Sequence, residues 1–294
     1  MRASRIAALG LSAAMLVLGA PALAAQHLPL APAPGDGLPV SPYFEGWYRN
    51  SDGTYTISFG YFNRNSSADI HVPLGPDNFI EPAEYDGIQP THFPVGRQQG
   101  VFTVTLPPDF TAQDRVVWTI TSNGRTYSVP GKIQVEGYQL AHRPMAMGSR
   151  PPVLRLQPDG PDLLGPMSFE DNSAPPSAHG GIGSILHPLS MTATVGSPLT
   201  LTVWATDRFE GEEREEVPVG VAWFTHQGPT QVAFSEAELE ADAQNQGRAE
   251  TTAIFSQPGE YVLRVRADNF NPLDSSLSDQ CCWTNGYIRV TVSP

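Results

Sequence analysis

Phe255-Ser-Gln-Pro-Gly-Glu-Tyr261 is the stretch that decides the fold. An apolar strand end meets a Pro-Gly turn, and a tyrosine opens the strand that follows. A tyrosine at such a corner can reach back and hydrogen-bond the chain it has just left. Alternation with a period of two continues through Leu263 and Val265, which gives the strand one apolar face. Working outward, the last hundred residues hold further strands at 191–196, 198–205, 219–225, 249–255 and 284–292. Leu199, Leu201 and Val203 alternate inward, and Trp223 is the large core residue of a central strand. The first two of these read as the opening pair of a sandwich. One segment, Ser235 to Gln244 (SEAELEADAQ), reads as a helix.

The N-terminal half repeats the pattern. In Thr54-Tyr-Thr-Ile-Ser-Phe-Gly-Tyr-Phe62, the side chains of Tyr55, Ile57, Phe59 and Tyr61 share one face. Asp52-Gly53 pairs this strand with Tyr43 to Arg49 as a hairpin. Strands follow at 68–72 and 99–106. A clear hairpin joins Arg115–Thr121 to Arg125–Val129 through Ser122-Asn123-Gly124, because Asn-Gly tolerates the positive φ angles of a type I′ turn. Between the second and third strands lies a long Pro/Gly-punctuated connection, 73–98, read as a surface loop or a clamp over the sandwich edge.

Residues 1–25, MRASRIAALGLSAAMLVLGAPALAA, carry a basic start, an apolar run from Ile6 to Leu18 and a small-x-small site at Ala22-Leu23-Ala24. This is the pattern of a cleaved secretory signal, with an uncleaved anchor as the alternative. The expected location is secreted or periplasmic. Loss of Arg2 and Arg5 with the signal leaves 15 basic against 30 acidic side chains. That balance disfavours nucleic acid, whose phosphates need cationic partners. No further transmembrane segment is expected after signal cleavage.

The expected class is all-β, with two β-sandwich domains joined by an irregular Pro/Gly-rich linker. The boundaries are a signal at 1–25, an extended leader at 26–42, an N-terminal antiparallel sandwich at 43–140, a linker at 141–188 and a C-terminal sandwich at 189–294. The linker contains nine prolines and six glycines, and Pro151 to Leu156 is its one edge-strand candidate. The two cysteines, Cys281 and Cys282, are neighbours and cannot staple distant segments. Reduced thiols, a vicinal disulfide and an intermolecular bond all stay open.

On Trp223, Phe255, Pro258-Gly259 and Tyr261, with alternation through Leu263 and Val265, the C-terminal third resembles immunoglobulin-like domains of bacterial exported proteins, particularly the polycystic-kidney-disease-type repeat family. The resemblance implies an immunoglobulin-like sandwich acting as a spacer or binding module. No cysteine pair bridges the sheets, unlike antibody domains. The N-terminal half, on Phe59-Gly-Tyr-Phe-Asn-Arg-Asn65 and Gln89-Pro-Thr-His-Phe93, is similar to exported bacterial proteins of unknown function. That likeness carries no activity across.

Motifs for zinc, an acyl-transfer serine, phosphate loops and Cys-x-x-Cys redox chemistry are missing from the sequence, and no catalytic residue is assigned. His71 and His92 could meet in space. The acidic stretch 207–216 and Asp268-Asn-Phe-Asn271 with Asp274 are expected at one end of the C-terminal sandwich. There Asp207, Glu210, Asp268 and Asp274 could offer oxygens to calcium, against the alternative of a solvated acidic loop. Trp47 and Tyr48, with Asn63 and Arg64 nearby, could stack on and hydrogen-bond a sugar, although alternation assigns the neighbouring rings to a core.

The leading expectation is an exported, non-catalytic binding or surface-associated module whose partner is a glycan or an envelope protein. The first alternative is an enzyme acting on polysaccharide or peptidoglycan, which needs two facing carboxylates from among Asp69, Glu81, Glu84, Asp86 and Asp109. The second is a structural spacer in an envelope assembly.

Overall fold

Alternating sequence becomes paired strand in both halves of the chain. The computed structural model describes residues 35–50, 52–139, 151–164, 189–207, 218–268 and 283–294; the expected signal at 1–25 lies outside them. The N-terminal half carries β1 (Val40–Arg49), β2 (Tyr55–Asn63), β3 (Ile70–His71), β4 (Asn78–Glu81), β5 (His92–Phe93), β6 (Gly96–Leu106), β7 (Val116–Ser122) and β8 (Arg125–Gly131). They form the sheets β1-β2-β6 and β4-β7-β8, with β3 and β5 as a small separate ladder. Ile57, Phe59, Phe102, Ile80, Trp118 and Ile120 bury the inner faces, and the Trp118 ring meets Phe102 edge-on at 4.9 Å. At the β7–β8 turn, Asn123 (φ 46°) and Gly124 (φ 73°) both take the left-handed angles that the Asn-Gly pair predicts.

The connection 73–98 is not simply a loop. Its strand β4 pairs with β7 and completes the second sheet. Asn78 explains why so polar a stretch folds inward. Its Nδ2 donates to Val72 O and Pro90 O, and its Oδ1 accepts from Trp118 Nε1, so one buried amide ties both arms of the connection to the core.

The C-terminal half carries β9 (Val153–Arg155), β10 (Leu163–Leu164), β11 (Leu189–Thr194), β12 (Leu199–Thr206), β13 (Gly220–Gln227), β14 (Ala233–Phe234), β15 (Glu238–Glu240), β16 (Arg248–Ile254), β17 (Gly259–Asp268) and β18 (Trp283–Ser293). Its sheets are β10-β9-β12-β16-β14 and β11-β18-β17-β13-β15. The corner behaves as its sequence predicts. Tyr261 is fully buried, its hydroxyl donates to Gln257 O at 3.0 Å, and Thr230 Oγ1 lies 3.0 Å away. A Cβ on Gly228 would overlap the Tyr261 ring, so the close approach requires glycine there.

Three local expectations change. β11 and β12 do not pair with each other: β11 runs parallel to β18, and β12 antiparallel to β16, so the chain crosses between sheets at Gly196 (φ 74°). Ser235 to Gln244 is not a helix. Glu238–Glu240 pairs with β13, and Asp242 then caps a single 3-10 turn through its bond from Gln244 N. Leu239 and Ala241 sit two residues apart and turn inward, a strand period, while Glu238 and Glu240 face solvent. Val153–Arg155 pairs with β12 on one side and β10 on the other, so this part of the Pro/Gly-rich stretch belongs to the second sandwich.

The sheet containing β13, β17 and β18 is covered on both faces. Trp223, Leu263, Val265, Ile288 and Val290 point into the C-terminal core. From the opposite face, Val262 and Tyr287 join the N-terminal core. The described residues cluster as one compact unit.

Gly100 sits where the halves meet, at φ 53°, and a Cβ there would overlap the Trp283 indole. Gly100→Ala is expected to destabilise by about 1–3 kcal/mol, from overpacking and from a backbone angle that alanine resists. Urea unfolding of the variant checks this; an unchanged midpoint would mean that the indole moves aside at no cost.

Candidate functional site

The seam between the sandwiches concentrates the buried polar chemistry of the described residues. It begins at two facing irregularities. The β1–β2 register slips between Phe44 and Gly46, which leaves Glu45 as the extra residue. The β2–β6 register slips opposite it, between Phe59 and Tyr61. Glu45 accepts a hydrogen bond from Ser58 Oγ, and both carboxylate oxygens accept from Gly100 N at 2.9 Å. Burial pushes the Glu45 carboxyl up to about 7, against the opposing pull of Ser58, Gly100, Arg97 and Arg264.

The same segment of β6 is held from the other side. Asn285 Nδ2 donates to Gly100 O, and Tyr287 Oη donates to Val101 O at 2.8 Å. Thr91 N donates to His226 O at 2.8 Å. His226 Nε2 lies 2.8 Å from Ile88 O, so this nitrogen carries the proton in the neutral ring. Gln227 Nε2 bonds Gly87 O and Gln89 O. The guanidinium groups of Arg264 and Arg266 lie over the Phe224 ring, at 4.2 and 5.7 Å from its centroid. Arg264 Nη2 donates to Gln98 Oε1 at 3.3 Å. A cavity of about 10 Å³ separates His92 from His226 and Arg264. Burial, then neighbouring positive charge, holds His226 down near 3 and His92 near 4.

Among the described residues, two clefts open to the surface. One, of about 270 Å³, is walled by Tyr85, Phe110, Pro82 and Pro107 and rimmed by Glu84, Asp109, Asp114 and Arg115. Burial, and then Glu84, Asp109 and Asp114, push the Tyr85 phenol up to about 12. Asp114 accepts from Thr111 N and Oγ1, which holds its carboxyl below the usual range. The other cleft, of about 610 Å³, lies at one end of the second sandwich and is lined by Asp207, Glu240 and Asp242 among others.

The residues singled out in sequence fall as follows. Trp47 is only 8% exposed, packs 6.1 Å from Tyr55, and donates from Nε1 to Val135 O. Asn63 is buried, with Nδ2 donating to Ala68 O and Phe93 O. Arg64 is exposed, and Tyr48 lies on β1 opposite Thr56. Trp47 and Asn63 are therefore inside the fold and not free to meet a sugar. Asp207 and Asp268 reach the same end of the second sandwich, where Asp268 is buried in register with Gly220. Glu210, Asp274, Cys281 and Cys282 lie outside the described residues. His71 and His92 do meet, as a cross-strand pair with rings stacked at 4.2 Å. Among the described residues, no three His, Cys, Asp or Glu side chains are placed to hold a metal. Of the carboxylates, Glu84 and Asp109 share the Tyr85 cleft, whereas Asp86 is tied to Ile80 N and Gln89 Nε2. Glu45, His226 and Arg264 were not marked by any sequence motif.

No family model and no curated protein matches the chain. Among solved structures it is similar to domains 4 and 5 of the S-layer protein SbsC, at 10% identity, over 75% of this chain and 78% of that one, with a TM-score of 0.26. The D00-D0 domain of intimin matches at 13% identity over 87% and 100%, with a TM-score of 0.25. The Yersinia pseudotuberculosis adhesin InvE matches at 10% over 86% and 58%, with a TM-score of 0.25. At these scores the likenesses carry no argument; the all-β architecture rests on the strand pairing itself. No helix among the described residues is long and apolar enough to cross a membrane.

The seam sets opposing pH dependences. His226 is held below its ordinary 6.5, so the unfolded chain binds the extra proton and stability falls as pH drops from 6.5 towards 3. Glu45 is raised from 4.5, so its contribution is complete below 4.5 and is lost as pH rises through about 7. His226→Gln keeps a donor for Ile88 O and should flatten the acid limb of a melting-temperature profile. Glu45→Gln should flatten the limb between 4.5 and 7. Profiles that parallel the parent protein would refute both assignments.

Proposed function

We propose that this is an exported, non-catalytic binding module that holds a glycan in the Tyr85–Phe110 cleft and presents it from a stiff pair of sandwiches. The observation that carries the reading is the composition of that cleft. Two rings and two prolines offer apolar area to a sugar face, while Glu84, Asp109 and Asp114 accept hydrogen bonds from hydroxyls. Asp114 is already fixed by Thr111, and Arg115 is pinned by its bonds to Ala112 O and Asp114 O, so much of the rim is ordered before a ligand arrives.

A second reading follows from the same cleft. Glu84 and Asp109 are two carboxylates in one groove, the feature that glycoside hydrolysis requires. Binding is preferred because the rings and prolines of the cleft supply a surface for stacking a sugar, whereas the pair of carboxylates is the single feature that points to hydrolysis.

The test is a pull-down of the mature chain on insoluble polysaccharides and peptidoglycan, scored for retained protein and released sugar. Retention without release is expected. Phe110→Ala and Asp109→Asn should each weaken retention by about tenfold or more, a loss of about 1.4 kcal/mol. Trp47→Phe, a core change, should retain the ligand. Released sugar abolished by Glu84→Gln would establish the enzyme, and no retention on any glycan would remove the proposal.

A further inference from the structure

The rim of the Tyr85–Phe110 cleft is one-sided in its hydrogen bonding. Glu84, Asp109 and Asp114 stand on it, and an ionised carboxylate only accepts. The donor side chain of the rim, Arg115, has its Nη1 bonded to Ala112 O and Asp114 O. A neutral sugar presents hydroxyls, each of which donates once and also accepts. Such a rim meets the donating half of those groups and leaves the accepting half to water. An ammonium presents three donors and no acceptor, which is the complement of a rim built from carboxylates.

Charge points the same way. Three carboxylates against one guanidinium leave the rim two negative charges in excess. Asp114 already has Thr111 N and Oγ1 as donors and Arg115 as a neighbouring cation. Neither Glu84 nor Asp109 is in an ion pair among the described residues. Carboxylates crowded round one cleft repel one another, and a bound cation relieves that repulsion. The walls suit the same ligand, because the face of a ring attracts a cation as well as the apolar face of a sugar. At long range, 30 acidic against 17 basic side chains draw a polycationic glycan towards the chain.

Resting on the glycan reading above, we propose that the sugar held in this cleft carries a free amino group. It is a 2-amino sugar, unacetylated and protonated, with its ring face against Phe110 and Tyr85 and its ammonium donating to Glu84 and Asp109. Acetylation of that nitrogen would remove the charge, reduce three N–H donors to one, and add a carbonyl that asks for a donor. The cleft, at about 270 Å³, is slightly smaller than the range of about 300–1,000 Å³ that holds drug-sized ligands, so it takes one residue of a glycan chain.

Calorimetric titration of the mature full chain with soluble glucosamine oligomers, and with the same oligomers after N-acetylation, tests the assignment. The two probes share linkage and length and differ at the nitrogen. The titrations run at about pH 6, where a primary amine carries its proton, and at about 0.15 M salt, which screens the charge of the chain as a whole. The free-amine oligomer is expected to bind about tenfold or more tighter than its acetylated form. The double variant Glu84→Gln, Asp109→Asn should lose that preference; both side chains are exposed, and an unchanged melting temperature would show that the variant folds. Glu236→Gln with Glu238→Gln removes as many exposed carboxylates from the other sandwich and should keep it. Equal binding of the two oligomers, or tighter binding of the acetylated one, would overturn the amine assignment and leave the glycan reading standing. A preference that survives in the cleft variant, or falls equally in the control, would overturn it in favour of the chain's general acidity. Binding of neither oligomer would also overturn it, and would remove the glycan reading as well only if the pull-down on polysaccharides retained nothing.

Discussion

One glycine sets how the two halves meet. Gly100 donates its N–H to Glu45, accepts Asn285 at its carbonyl and leaves its α-carbon bare beneath the Trp283 indole. Each of these contacts needs the backbone exposed at a bulge, with φ in the left-handed region. A regular β6 would have spent the same N–H and C=O on its neighbouring strand. The irregularity in β1 that frees Glu45, and the one in β6 that frees Gly100, are therefore two parts of one arrangement. Removing either would leave a buried partner unsatisfied, at about 1–3 kcal/mol per group.

This polar seam differs from the joint of two independent modules. Loosely joined domains meet over modest polar surfaces and move relative to one another. Here Val262 and Tyr287, carried by strands of the second sandwich, are members of the first core. Hydrogen bonds then fix the register of that apolar contact: Tyr287 on Val101 O, Thr91 on His226 O and Gln227 on Gly87 O. Each is worth about 1 kcal/mol net, so the apolar contacts hold the halves together and the polar ones set their orientation. A cleft on the first sandwich consequently keeps a constant orientation relative to the end of the second.

The inward periodicity was legible in sequence, and what faced outward was not. Tyr261, Trp223 and the alternation of Leu263 and Val265 reported the C-terminal core because a half-buried strand leaves a period of two. Asn-Gly at 123–124 reported its hairpin because few residue pairs accept those angles. Arg264 and His226 sit on the opposite face of the same strands, where polar residues ordinarily mean solvent. Nothing local distinguishes a polar face in water from one covered by another sandwich. Trp47 failed in the complementary way: an aromatic cluster near Asn and Arg suits either a platform or a core, and its long-range bond to Val135 O made it core. Glu238 to Glu240 looked helical because its acids favour helix termini and surfaces, yet pairing with β13 outweighed so weak a propensity.

The distribution of charge gives the seam its character. The chain carries 30 acidic against 17 basic side chains, yet Arg264 and Arg266 are both inside. Glu45 and Asp268 are buried as well, so the interior of the described residues takes in both signs and leaves the surface the acidic excess of the composition, whose field repels large anions before contact. Within the seam, Glu45 has Arg97 and Arg264 as its cationic neighbours, and their pull opposes the burial that raises its carboxyl. Holding charges of either sign inside costs desolvation energy unless each is matched by a partner of opposite sign or by hydrogen bonds.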